Sequence, residues 1–65
     1  MIEDHEQLKV TQDQLRRLEY ALEELRRTVT QTEFAAQAPI VIEHIRRMRA
    51  EIDAYLGVRE VETLR

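Results

Sequence analysis

From Leu15 onward the apolar residues fall at Leu15, Leu18, Leu22, Leu25 and Val29, a 3-4-3-4 spacing that lines one narrow face of a helix. A second run, Phe34, Ala38, Val41, Ile45, Met48, Ile52 and Tyr55, keeps 4-3-4-3-4-3 without a miss. Both runs are coiled-coil seams, with charged residues such as Arg16, Arg17, Glu23, Glu24 and Arg27 on the other faces of the first. Thr11-Gln12-Asp13-Gln14 has the Thr-x-x-Gln form of a capping box, and Val10 with Leu15 forms a hydrophobic staple across it. The first helix is therefore expected over about 12–29. Thr28, Thr30, Gln31 and Thr32 interrupt the pattern, because β-branched side chains crowd the preceding turn and Thr hydroxyls compete for backbone hydrogen bonds. Thr30 and Glu33 repeat the capping-box spacing, and Gly57 is a C′ glycine able to take the left-handed conformation, which places the second helix at about 33–56.

Pro39 lies inside this second pattern, where it removes one backbone donor and clashes with the carbonyl four residues earlier. Either the helix runs on and bends at Pro39, or Phe34 to Ala38 form a separate turn and Pro39 is the first helical residue. The seam passes through Phe34 and Ala38 in phase, which favours the continuous helix.

Two seams this close in sequence fold back on each other, so the fold class is all-α: an antiparallel two-helix hairpin. Matching the ends at the turn pairs Val29 with Phe34, Leu22 with Val41, Leu18 with Ile45 and Leu15 with Met48. The second helix then overshoots the first. Ile2, Leu8 and Val10, in an N-terminal extension spanning 1–10, are expected to cover Ile52, Tyr55 and Leu56. The tail 58–65 carries Val58, Val61 and Leu64 at intervals of three and reads either as a short last helix on a partner subunit or as a frayed end. All 65 residues are expected to form one domain.

Composition makes assembly part of the reading. At 65 residues, 43% of them hydrophobic, the chain has no cysteine, so disulfides and thiolate metal sites are unavailable as staples. One Gly, one Pro and 5% aromatic residues argue against a β-barrel or sandwich. A lone hairpin buries each seam from one side only. Tyr20, Ala21, Ile40, Ile42 and Leu56 fall outside the seam and, with Val58, Val61 and Leu64, make a candidate oligomer or partner face. Tyr20 fits two roles, an exposed anchor for a protein partner or a tyrosine packed between subunits. A homodimer of hairpins, packed as a four-helix bundle, would bury these residues. No apolar run approaches the ~20 residues of a membrane span and the first residues are acidic, so a cytoplasmic chain without a membrane partner is expected.

Net charge is −3, concentrated in Glu3, Asp4 and Glu6, and every basic residue except Lys9 is arginine. Arg16-Arg17, Arg26-Arg27 and Arg46-Arg47 are doublets, candidate contacts for an anionic partner if a dimer aligned them, since guanidinium groups bind phosphate or carboxylate in bidentate fashion. Each doublet sits beside carboxylates, which instead suggests helix ion pairs and argues against nucleic acid. His5 and His44 are the two imidazoles and are remote in sequence, with no serine, no cysteine and no glycine-rich loop to accompany them. Neither an enzyme, a metal site nor a cofactor is expected, and Met48 and Tyr55 read as core.

The stretch from Glu6-Gln7-Leu8-Lys9-Val10 through Gln14-Leu15-Arg16-Arg17-Leu18-Glu19-Tyr20-Ala21-Leu22, and again Arg49-Ala50-Glu51-Ile52-Asp53-Ala54-Tyr55-Leu56-Gly57, resembles a group of small bacterial helical proteins. The hairpin is similar to the N-terminal segment that precedes the helix-turn-helix domain in some Xre-type regulators associated with toxin–antitoxin modules. Residues beyond Gly57 carry no helix-turn-helix pattern, so sequence-specific DNA binding is not expected to carry over. The resemblance implies a hairpin that oligomerises or contacts a toxin. The expectation is thus a non-enzymatic, oligomerising protein–protein interaction module, antitoxin-like or regulatory. Its rival is a small nucleic-acid-associated regulator that uses the arginine doublets.

Overall fold

Asp4 starts the first helix. Its backbone is extended (φ −147°, ψ 176°) and its Oδ1 accepts from the Gln7 N–H at 2.8 Å, while Gln7 Oε1 accepts from the Glu3 N–H at 2.8 Å. In this computed structural model, which describes residues 1–63, α1 spans His5–Thr28. Glu6 in its first turn and Arg26 and Arg27 in its last match the helix dipole. The expected start at Thr11 is corrected: α1 begins seven residues before position 12, so most of the N-terminal extension is helix. Thr11 is a half-buried seam position, and the seam runs back in phase through it to Leu8. A polar residue within an apolar stripe had the look of a cap, but Asp4 holds that role with a carboxylate at the positive end of the helix.

The first helix ends at Thr28, whose hydroxyl donates to the Glu24 carbonyl at 2.9 Å, and Val29 leaves the helix in an extended conformation. Two residues, Val29 and Thr30, connect the helices. The Thr30 and Glu33 capping box is formed: the Glu33 N–H donates to Thr30 Oγ1 at 3.2 Å and the Thr30 N–H to Glu33 Oε1 at 3.3 Å. Helix α2 spans Gln31–Leu56, two residues ahead of the expected start, because the cap is Thr30 itself. Pro39 lies within this uninterrupted helix on an exposed face, where the Ala35 carbonyl, deprived of its usual donor, can be met by water. Gly57 closes α2 at φ 79° and ψ 19°, its N–H bonded to the Asp53 carbonyl, and a short helix α3, Val58–Thr63, follows. The tail is helical as far as it is described; Leu64 lies outside the described residues.

Every expected seam residue is buried or half-buried. Ala38 and Ile45 are the tightest, 2% and 5% exposed. At the open end of the hairpin, Ile2, Leu8 and Ile52 form a buried cluster, with Leu15 and Tyr55 packed against it. Ile2 and Leu8 thus cover the overshooting end of α2 as expected, whereas Val10 and Leu56 stay 57% and 56% exposed. Val10 is two residues past Leu8, about 200° round the helix, and cannot share its face.

The extents are 42 × 28 × 15 Å. Among the described residues only two long helices are packed on each other and the short α3 contacts α2 alone, so α1 and α2 form a single layer.

The cap assignment is testable by thermal unfolding. Asp4→Ala should cost about 1 kcal/mol, a fall in Tm of about 4–8 °C, whereas Thr11→Ala should leave the cap intact and Tm nearly unchanged. Ile45→Asp places a charge on the buried seam and should abolish the helical circular dichroism signal.

Candidate functional site

An antiparallel helix pair has a groove on each side of its seam, and here the two grooves differ in chemistry. One is lined by Glu19, Leu22, Ile42, Ile45, Arg46 and Arg49. The Arg49 guanidinium crosses it to the Glu19 carboxylate, tying α2 to α1. By helical position Arg26 lies on the same side, its guanidinium 4.9 Å from the centre of the Phe34 ring, a cation–π contact near the turn. The opposite groove is lined by Gln14, Arg17, Leu18, His44 and Met48. Towards the open end it continues past Ile2, Gln7, Val10 and Thr11, where the Met1 ammonium lies 3.6 Å from the Glu51 carboxylate. Arg17 stands at the rim of this groove, paired with Asp13 at 3.0 Å.

The heptad positions explain the asymmetry. In an antiparallel pair, residues just after one set of seam positions meet their counterparts across one groove, and residues just before meet across the other. Gln12, Glu19 and Arg26 in α1 and Ala35, Ile42, Arg49 and Leu56 in α2 are of the first kind. Those of the second kind recur every seven residues as Gln7, Gln14, Ala21 and Thr28 in α1 and as Gln37, His44 and Glu51 in α2. Gln14 and His44, which line the second groove, were not among the expected contact residues. The signal that marks them is the sevenfold recurrence of residues beside the seam that are uncharged as far as His44, visible already along the seam from Leu15 onward.

The candidate partner face does not come together as one stripe. Tyr20 is 62% exposed on the outer side of α1 and Ile40 is 71% exposed on the outer side of α2. Ile42, two residues and about 200° away from Ile40, is half-buried in the charged groove. Leu56, Val58 and Val61 are exposed near the C-terminal end, at 56%, 37% and 63%. Ile42 and Leu56, two heptads apart, share one flank of α2, but Tyr20 and Ile40 point to other faces, so the set makes no continuous stripe.

The arginine doublets are divided in a regular way. The second member of each, Arg17, Arg27 and Arg47, is ion-paired with a carboxylate one turn earlier, Asp13, Glu24 and Glu43 respectively. This is ordinary helix-surface pairing, and each such pair adds little stability in water. His5 stacks edge-on against Tyr55 at 5.7 Å between ring centres, which closes the hydrophobic cluster at the open end. Among the described residues no three His, Cys, Asp or Glu side chains are grouped to hold a metal, and no helix is long and apolar enough to cross a membrane.

Comparison with protein-family models, with curated proteins and with solved structures gives no match to this chain.

The Glu19 and Arg49 pair is the one that spans the helices outside the seam on this side, and both partners are substantially exposed. A double-mutant cycle with Glu19→Ala and Arg49→Ala should return a coupling below about 1 kcal/mol that shrinks as salt is added. A larger, salt-insensitive value would show that the pair, rather than the seam, sets the register.

Proposed function

We propose that this chain is a self-associating helical module whose work is protein–protein contact. The observation that carries this reading is the single layer. A stable domain normally buries an apolar stripe between two layers of secondary structure. Here α1 and α2 lie side by side in one layer, and among the described residues only Ile2, Leu8, Ala38, Ile45 and Ile52 are buried apolar side chains. Leu15, Leu18, Leu22, Leu25, Val41 and Met48 remain only half-buried. A second hairpin supplies the missing layer and converts partly wetted seam residues into the interior of a four-helix bundle.

The resemblance to the N-terminal segments of toxin–antitoxin regulators supports the same class of role, with a dimeric bundle presenting its outer faces to a protein partner such as a toxin. Tyr20 is the exposed aromatic on such a face, beside Arg16 and Arg17. The arginine doublets favour this reading over nucleic-acid binding, because one member of each is paired with a carboxylate one turn earlier.

Sedimentation velocity across a micromolar concentration series tests self-association directly. A dimer is expected, together with a Tm that rises with protein concentration, as mass action requires when only the assembled form is stable. A folded monomer with a concentration-independent Tm would overturn the reading.

A further inference from the structure

We propose that the groove lined by Gln14, Arg17, Leu18, His44 and Met48, whose seam-flanking residues at mid-hairpin carry no charge, is the surface that receives a second copy of this chain, with a two-fold axis near His44. The inference rests on the self-association proposed above and specifies its surface. An isolated two-stranded coiled coil exposes both flanks of its seam to water, and both are ordinarily charged. In this chain one flank carries Glu19, Arg26 and Arg49, with the Arg49 to Glu19 pair across it, while the other carries Gln14, Ala21, Thr28, Gln37 and His44 and is charged only at Glu51, near the open end. A flank so sparing of charge through the middle of the hairpin is the pattern of a surface covered by further helices.

The same feature selects the occupant. In a two-fold dimer each residue near the axis meets its own copy, so a charge there faces a like charge. The charged groove would set Arg46 and Arg49 against their copies. The opposite groove sets amide, imidazole and thioether groups against themselves, and these pair with their own kind through hydrogen bonds or apolar contact. Gln14, Leu18 and His44 lie close to the middle of α1 and α2, where an axis through the centre of the hairpin must pass. The charges that border this groove, Arg17 with Asp13 and Glu51 with the Met1 ammonium, are already paired at its rim and its end.

Light scattering on three proteins tests the assignment: the unaltered chain, the double variant Gln14→Glu with His44→Glu, and Arg46→Glu in the charged groove, with folding of each followed by circular dichroism. All three substitutions are at exposed positions, so helicity should be kept. The double variant should raise the dimer dissociation constant by about 100-fold or more through like-charge opposition at the axis, and Arg46→Glu should change it less than about tenfold. A double variant that stays as dimeric as the unaltered chain overturns this inference and leaves self-association standing. Dissociation by Arg46→Glu alone would move the interface to the charged groove. An unaltered chain that is itself monomeric removes both the self-association reading and this one.

Discussion

Everything in this structure depends on a seam buried from one side. Alternation of three and four residues places an apolar side chain at each contact between α1 and α2, and the two-residue connection forces the helices to run antiparallel. With no third element over either groove among the described residues, apolar contact in the middle of the hairpin is confined to a line. Ala38 and Ile45 sit on that line and are buried; their seam neighbours are covered by one helix and wetted beside it. The cluster of Ile2, Leu8 and Ile52 is the exception that proves the geometry, since the chain before α1 folds over the end of α2 and briefly provides a third wall.

Charge placement follows from the same constraint. A flank that faces water is best occupied by groups that hydrate well and can attract one another across the groove, and Glu19 with Arg49 does both. Carboxylates one turn before Arg17, Arg27 and Arg47 likewise keep the outer surfaces hydrated without building a field of one sign. Where charge is withheld, the residues are glutamine, histidine, alanine and threonine, side chains that tolerate water in the single chain and lose little when it is displaced. In the proposed dimer the two grooves have different surroundings to satisfy.

Much of this was legible in the sequence because it is written in local rules. The seam periodicity located both helices, the Thr30 and Glu33 spacing located the turn, and Gly57 located the end of α2, each through a contact spanning at most one or two helical turns. The errors arose where one residue type serves two purposes. Thr11 is a good cap residue and an acceptable seam residue, and only the cap at Asp4 decides between them. Grouping Tyr20, Ile40, Ile42, Leu56, Val58 and Val61 by hydrophobicity ignored their angular positions, and three dimensions dispersed them. The flank sparing of charge went unread for the opposite reason: it is defined by residues that draw no attention singly, and its meaning lies in which charges are missing.

The turn has a consequence for how stability is distributed along the hairpin. The capping box and the connection of Val29 and Thr30 hold the closed end through residues adjacent in sequence, where the entropy lost in closing a loop is smallest. The open end is held by Ile2 and Leu8 against Ile52, contacts that close almost the whole chain into a loop. The hairpin is therefore a zipper with a fixed foot: pairing spreads from the turn outward, and fraying travels inward from the termini. Amide hydrogens near Leu8 and Ile52 should exchange by opening of that end alone, while those near Leu25 and Ala38 wait for the whole seam to part.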